Sequence, residues 1–269
     1  MVASKDKVRD FWQKASCGEV YASGNTRVEQ LDQQSRVRYE LEPYILDFAR
    51  FQEGRDRDVL EIGVGMGADH AKWAQAGPRS LTGVDLTPRA IENTAKRFSS
   101  LGLDSDLRVA DAEALPFDDA AFDLVYSWGV LMCSPDTQRT IDEVFRVLRP
   151  GGTARVMLYH RYSLVGLMLY ARYGLLAGKP MTPLADIYPR HLESPGTKAY
   201  SIAEVKSMFS RFRNTKVRTQ LSFGDLLLGQ VGQQHAGTIL TVARRLWPRW
   251  LLRRIARPLG LYLEIEAVR

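Results

Sequence analysis

The strongest constraint on this chain is an alternation that runs from residue 58 to residue 160. Five short apolar runs, DVLEIG (58–63), SLTGVD (80–85), DLRVAD (106–111), FDLVYS (122–127) and TARVMLYH (153–160), are separated in three of their four gaps by stretches of helical periodicity. Runs this short, bounded by Gly, Pro and Asp, read as buried strands, and strands alternating with helices predict an α/β fold with a doubly wound sheet. The punctuation agrees. MGADHAKWAQAG reads as a helix stopped at Gly77, and Thr87 and Pro88 have the chemistry of an N-cap and first helical residue, with Gly102 closing that helix. Ile141, Val144, Phe145 and Leu148 form an apolar helical stripe that ends at Pro150-Gly151-Gly152. Farther on, Ser201 and Glu204 make a capping box, and KVRTQLSF (216–223) and LYLEIEAV (261–268) read as two final strands.

Two stretches interrupt this pattern, 161–200 and 224–259, and both are expected to be helical lids over a site. The expected organisation is an N-terminal helical cap at 1–50, a core at 51–160, a lid insertion at 161–200, and a return to the core at 201–269 that carries the second, basic insertion. A chain of 269 residues with 45% hydrophobic side chains buries a substantial core, which excludes a disordered protein. Its two cysteines, Cys17 and Cys133, suit neither a disulfide framework nor zinc spacing, so a reducing cytoplasm is the expected home. The opening MVASKDKVRDFW places charges where a signal peptide needs an apolar run, and the most apolar later stretch, 163–178, is short and holds Arg172, so no spanning helix is expected.

In an open α/β sheet, ligands lie beyond the carboxyl ends of the strands. Gly63, Gly65 and Gly67 follow the first strand, where a backbone without side chains can approach a ligand closely. Glycines there also occur in plain turns and in dinucleotide sites. The spacing is GxGxG rather than GxGxxG, and Glu61 stands just before it, where a carboxylate suits the ammonium group of an amino acid moiety and repels a pyrophosphate. Asp85, ending the second strand, is an acceptor for ribose hydroxyls. Asp111, ending the third, is an acceptor for an adenine amine, and the N–H of Ala112 can serve a ring nitrogen. Either aspartate alone reads equally well as a cap of the segment that follows; three acidic strand ends in succession favour a ligand.

VLEIGVGMG, GVDLT, ADAEALPFDDAAFDLVYSWGVL and EVFRVLRPGG resemble the successive motifs of class I methyltransferases that use S-adenosylmethionine (SAM), over roughly residues 40 to 160. The resemblance is strongest to the small-molecule branch that includes ubiquinone and menaquinone biosynthesis methyltransferases. It implies a Rossmann-like, seven-stranded sheet whose last strand is antiparallel. It also implies Glu61 on the methionine amine, Asp85 on the ribose and Asp111 on adenine, with backbone contacts from Gly63, Leu86, Ala112 and Ser127. Relatives commonly carry a histidine after the fourth strand, where this chain has Met132-Cys133, so any role of that histidine is absent here; Cys133 reads as a small apolar wall residue.

A methyl transfer needs alignment, exclusion of water and, for some acceptors, removal of a proton. No carboxylate and histidine set has metal spacing, so no metal is expected. The groups offered for catalysis are Tyr21 in the N-terminal cap, His160 at the end of the fifth strand and His191 in the first lid, each with an ordinary packing role as the alternative. Arg36 and Arg38 precede the first strand, Arg38 being the better placed for a carboxylate, and Lys198 is read as solvated.

The stretch 239–258 carries six arginines and no acid, interleaved with Trp247 and Trp250. It suits a substrate lid first and a peripheral contact with anionic lipid second. Nucleic acid is not an expected partner, since the net charge of +6 is concentrated largely in that segment and SWGV stands where many nucleic-acid amino-methyltransferases carry D/N-P-P-aromatic. The expected function is therefore SAM-dependent methylation of a small molecule at O, S, N or C. The alternatives are a peripheral-membrane methyltransferase of a prenylated quinone or lipid, a SAM-binding protein without turnover and, least, a nucleotide-binding reductase.

Overall fold

A computed structural model describes residues 4–228, 245 and 247–269. Seven strands form one sheet: β1 (Asp58–Ile62), β2 (Ser80–Asp85), β3 (Asp106–Val109), β4 (Phe122–Trp128), β5 (Leu148–Tyr159), β6 (Arg213–Gln220) and β7 (Tyr262–Val268). Their order is β3-β2-β1-β4-β5-β7-β6. The first five are parallel, and β7 runs antiparallel to both β5 and β6, as expected of the last strand. From β1 the chain winds outward to β3 and then returns to start β4 on the other side of β1, so the topological switch lies between β1 and β4. That is where an open α/β sheet leaves a crevice.

The central strands are apolar because both faces are covered. In β1, Val59, Leu60 and Ile62 are all buried, as are Leu124 and Val125 of β4. Helices α1 (Lys5–Lys14), α2 (Arg27–Leu41) and α3 (Tyr44–Ala49) precede the sheet; α4 (Ala68–Gln75), α5 (Pro88–Leu101) and α6 (Thr137–Val147) connect its parallel strands. Helix α5 begins as the sequence predicts, with Thr87 Oγ1 accepting the Ala90 N–H, and ends at Gly102, whose φ of 62° is the left-handed value glycine accepts without strain. Helix α6 buries Ile141, Val144 and Val147 against the sheet.

The fifth strand starts earlier than the sequence pattern predicts, at Leu148 rather than Thr153. Pro150-Gly151-Gly152 does not separate helix from strand: the Gly151 N–H donates to the Arg269 carbonyl (2.9 Å) and the Arg269 N–H to the Gly152 carbonyl (3.0 Å), tying the turn to the end of β7. The strand also ends one residue sooner, leaving His160 in an isolated bridge to Tyr200.

The 161–200 insertion folds into α7 (Leu164–Tyr170), a π turn at Ala171–Leu175 and α8 (Leu184–His191). It is pinned by the Tyr188 hydroxyl, 2.9 Å from Ser163 Oγ and 3.1 Å from the His160 carbonyl. Helix α9 (Ile202–Met208) carries the capping box of Ser201 and Glu204. Of the 224–259 insertion, residues 229–244 and 246 lie outside the described residues. The rest includes α10 (Arg249–Ile255), whose Leu252, with Ala256 just after the helix, packs on Leu221 and Leu226. Among the described residues, no helix is long and apolar enough to cross a membrane.

Candidate active site

A cavity of about 220 Å³ runs along the carboxyl edge of the parallel strands. Its lining crosses the sheet in order. Asp111 and Ala112 follow β3, Asp85 ends β2 and Leu86 follows it, and Glu61 is the penultimate residue of β1, with Gly63 and Gly65 after it; Trp128 and Gly129 mark the end of β4, Tyr159 the end of β5 and Tyr262 the start of β7. Helix α1 and the turn after it roof the cavity with Lys5, Val8, Trp12 and Cys17.

The β1 loop explains its glycines. A Cβ on Gly63 would stand 2.1 Å from Val130 Cγ2, whereas one on Gly65 would meet nothing within 4 Å. With φ of 53°, Gly65 leaves open space at the cavity wall, a cradle for a ligand. Gly67 caps α4 and is not among the lining residues, and Ser127 is fully buried with its hydroxyl donating to the Ile62 carbonyl at 3.0 Å.

The three strand-end acids are held differently. Asp85 Oδ1 accepts the N–H and hydroxyl of Thr87 (3.0 and 2.8 Å), and Oδ2 accepts the Gly65 N–H at 3.2 Å, so Oδ2 keeps the larger spare acceptor capacity. Burial raises its pKa, against these donors. Asp111 is paired with Lys5, which also reaches Glu113 at 2.8 Å, so the roof helix is tied at the very residue assigned to an adenine amine. Glu61, 3% exposed, contacts His70 Nδ1 at 3.0 Å; burial first, and then the neighbouring Asp69, push its pKa well above the usual carboxylate range.

Beside it, Asp69 accepts four hydrogen bonds: two from Arg38 (2.9 and 2.6 Å) and one each from the Tyr39 and Tyr126 hydroxyls (2.9 Å). These hold its carboxyl below the ordinary value despite complete burial. Arg38 is thereby committed to α4, and also reaches Glu42 at 3.4 Å. Arg36 is exposed.

Tyr21, His160 and His191 are not among the residues that line the cavity. Tyr21 ends a 3-10 turn; the His160 ring is buried with Nδ1 3.2 Å from the Gly260 carbonyl; His191 stacks on Tyr173 at 3.7 Å. The lining carries Tyr159 instead of His160, because side chains on a strand alternate: Met157 and Tyr159 share the face that meets the cavity. Tyr159 donates to Glu193 Oε2 and Tyr262 to Glu42 Oε1, each at 2.8 Å, and the two rings stack at 5.9 Å. Trp128 packs edge-on to Tyr262 at 5.5 Å. Burial raises the pKa of both Glu42 and Glu193. It also pushes the Cys133 thiol up to about 11, leaving this buried wall residue protonated. Lys198, read as solvated, is instead half-buried and held on the Ser134 carbonyl.

Among the described lining residues, six carboxyl groups (Glu42, Glu61, Asp69, Asp85, Asp111 and Glu193) face two cationic ones (Lys5 and Arg38). This concentration of oxygen acceptors suits a ligand that brings ammonium and hydroxyl donors and is adverse to a pyrophosphate.

Residues 60–156 match the family model described as a methyltransferase domain. Over those residues the chain is similar to methyltransferase domains. Around that domain the likeness thins. An uncharacterised protein of Mycobacterium tuberculosis is 37% identical over 111 residues, 41% of this chain and 40% of that protein. The phthiotriol/phenolphthiotriol dimycocerosates methyltransferase of the same species is 41% identical over 97 residues, 36% of this chain and 35% of that protein. The match thus spans less than half the length of these relatives. In fold, the methyltransferase domain and its surroundings resemble phosphoethanolamine N-methyltransferase 2 of Haemonchus contortus, solved with phosphomonomethylethanolamine and S-adenosylhomocysteine. The TM-score is 0.60 at 16% identity, covering 100% of this chain and 60% of that one.

The residues that sequence reasoning missed are Asp69, His70, Tyr159, Glu193 and Tyr262. Asp69 and His70 carried one legible signal, adjacent ionisable residues in the first turn of a helix that directly follows a glycine loop.

Proposed function

We propose that this chain transfers the methyl group of SAM to a small-molecule acceptor bound on the β4–β7 side of the cavity. The observation that carries the reading is the continuity of one cavity from the acidic ends of β1–β3 to the aromatic wall of Trp128, Tyr159 and Tyr262. Glu61, Gly63, Gly65, Asp85, Leu86, Asp111 and Ala112 are the proposed cofactor contacts, with Gly67 and Ser127 supporting the same loop and strand from behind. The bound cofactor supplies an already activated methyl group, so the chain has to align the acceptor, exclude water and take a proton where the acceptor carries one. Helix α1 covers the site through Val8 and Trp12. Tyr21, His160 and His191 stand outside the lining, so the proposed proton acceptor is Glu193, whose raised pKa suits that task and whose carboxyl the Tyr159 hydroxyl orients. Apart from Tyr159, Tyr262, the two thiols and Arg38, which is spent on Asp69 and Glu42, the ionisable side chains of the described lining on that side are the carboxyls of Glu42 and Glu193, which suit an acceptor that brings hydrogen-bond donors.

Isothermal titration calorimetry with SAM and S-adenosylhomocysteine tests the reading. Wild type binds both, and Asp85→Ala weakens binding by about 1.5 to 3 kcal/mol, the size of a lost hydrogen bond to a charged group. A folded wild type that binds neither overturns the reading. A screen of amines, phenols and thiols for a gain of one methyl mass then defines the acceptor.

A second reading, a peripheral-membrane enzyme with a lipid acceptor, is favoured by α10. Trp250 is 73% exposed and Ile255 63% exposed on a helix that also presents Arg253 and Arg254. The name of the mycobacterial dimycocerosates relative supports it. Co-sedimentation with anionic vesicles that survives high salt is its expected result; complete release by salt counts against it.

A further inference from the structure

Hydrogen-bond counting places a proton between Glu61 and His70. His70 is wholly buried in a seat built for it: its Nε2 lies 2.7 Å from where a Cβ on Gly83 would stand, and its ring packs 5.0 Å from Phe98. Nε2 is 2.8 Å from Ser105 Oγ, and Ser105 spends its one hydroxyl hydrogen on the Leu81 carbonyl at 2.9 Å. The Nε2 atom must therefore be the N–H that Ser105 accepts. A neutral imidazole then turns the bare lone pair of Nδ1 toward Glu61 Oε2, 3.0 Å away. Two bare acceptors at that distance repel, so the contact requires one proton, held either by the carboxyl or by the imidazole.

We propose that His70 stores this proton for Glu61. When the ammonium group of the amino acid moiety reaches Glu61, the Glu61 O–H bond breaks, the proton forms an N–H bond at His70 Nδ1, and Glu61 meets the ligand as a carboxylate. No proton goes to solvent. The inference rests on the reading that the cavity takes SAM. Every group facing the pair acts in a stated direction. Asp69 and Asp85 oppose a negative Glu61, Arg38 favours it, and Asp69 favours a positive His70. Before ligand arrives, burial keeps both partners neutral, with the proton on oxygen. His70 is thus a positioning residue, acting on the cofactor through Glu61.

The test uses S-adenosylhomocysteine, which carries the same ammonium group, and the full chain. Long-range ¹H–¹⁵N correlation spectra of the wild type report the state of each ring nitrogen, and His70→Asn assigns the His70 signals among the four histidines. The expected result is an Nδ1 signal that moves from the bare to the protonated position on saturation. Calorimetry in buffers of different ionisation enthalpy should give close to zero protons exchanged for wild type. His70→Asn should release about one proton per ligand bound, with affinity rising about tenfold per pH unit while Glu61 remains protonated. Binding that leaves the wild-type His70 signals unchanged overturns the proposal, as does a folded His70→Asn that binds without releasing a proton. Absence of binding in the wild type overturns instead the functional reading on which the proposal rests.

Discussion

The cavity changes construction between β1 and β4. On the β3–β1 side, Glu61, Asp85 and Asp111 each stand at or within two residues of the carboxyl end of a strand, within the single stretch 61–111, and each is placed by its own strand. On the β4–β7 side, Glu42, Cys133, Tyr159, Glu193 and Tyr262 come from separate parts of the chain, and the Tyr262–Glu42 hydrogen bond joins residues 220 positions apart. The first side is a product of local order repeated three times. The second exists only once the helices before the sheet, the 161–200 insertion and β7 have all docked. A local construction can be transferred between relatives as a motif, whereas an assembled one varies with every insertion. This accounts for a family match confined to residues 60–156.

The sharpest way to break this comparison is at the joint between the two sides. Asp69→Ala leaves Arg38 buried without its bidentate partner and the Tyr39 and Tyr126 hydroxyls without their acceptor, so stability should fall by about 3 to 5 kcal/mol, read by urea denaturation. A loss below 1 kcal/mol would mean that the two sides are not joined there. Next comes Asp85→Ala, whose loss of SAM affinity, about 1.5 to 3 kcal/mol, should leave the acceptor KM unchanged once the cofactor saturates. Tyr159→Phe should do the reverse. Removal of its hydroxyl from Glu193 lowers kcat/KM for the acceptor by about 1 to 2 kcal/mol, or roughly five- to thirtyfold, with S-adenosylhomocysteine affinity unaltered in calorimetry. If Tyr159→Phe weakens the cofactor as much as the acceptor, the division between the sides fails.

The smallest effect is on the pH dependence of stability. His70 is pushed down by burial to about 3 from an ordinary 6.5, and Glu61 is raised above its ordinary 4.5. The folded pair therefore keeps one proton throughout the range between these values. The unfolded chain holds two protons on these residues below about pH 4.5, one between about 4.5 and 6.5, and none above. The pair's contribution is level between about pH 4.5 and 6.5. It falls toward acid, where unfolding takes up a proton, and falls again above 6.5 for as long as the raised Glu61 holds its proton in the fold, since unfolding then releases one. In His70→Asn the decline toward alkaline pH should begin near 4.5 instead, because only the raised Glu61 remains to hold a proton in the fold. Denaturation midpoints across this range check the shift.

Much of the molecule is legible in the order of its residues. The five parallel strands, the N-cap at Thr87, the capping box at Ser201 and Glu204 and the acids and glycines of the β1–β3 ends all follow from short-range pattern, since each depends on residues a few positions apart. The early start of β5 does not, because Pro150-Gly151-Gly152 is a stop signal locally and is overridden only by pairing with the Arg269 end of β7. The inward face at the end of β5 escapes the pattern for a related reason: His160 reads as the strand's last residue, and only the register that ends β5 at Tyr159 decides which side chain turns inward.

By itself the sequence determined the five parallel strands and the acidic strand ends, because periodicity and turn chemistry act over a few residues. The tertiary structure alone decided that Lys5 closes on Asp111, that Asp69 gathers Arg38 with two tyrosines, that His70 sits against Glu61, and that Tyr159 and Tyr262 each present a carboxyl to the cavity. Those pairings are made across the fold, where the low local dielectric makes each buried charge depend on partners that no stretch of chain contains.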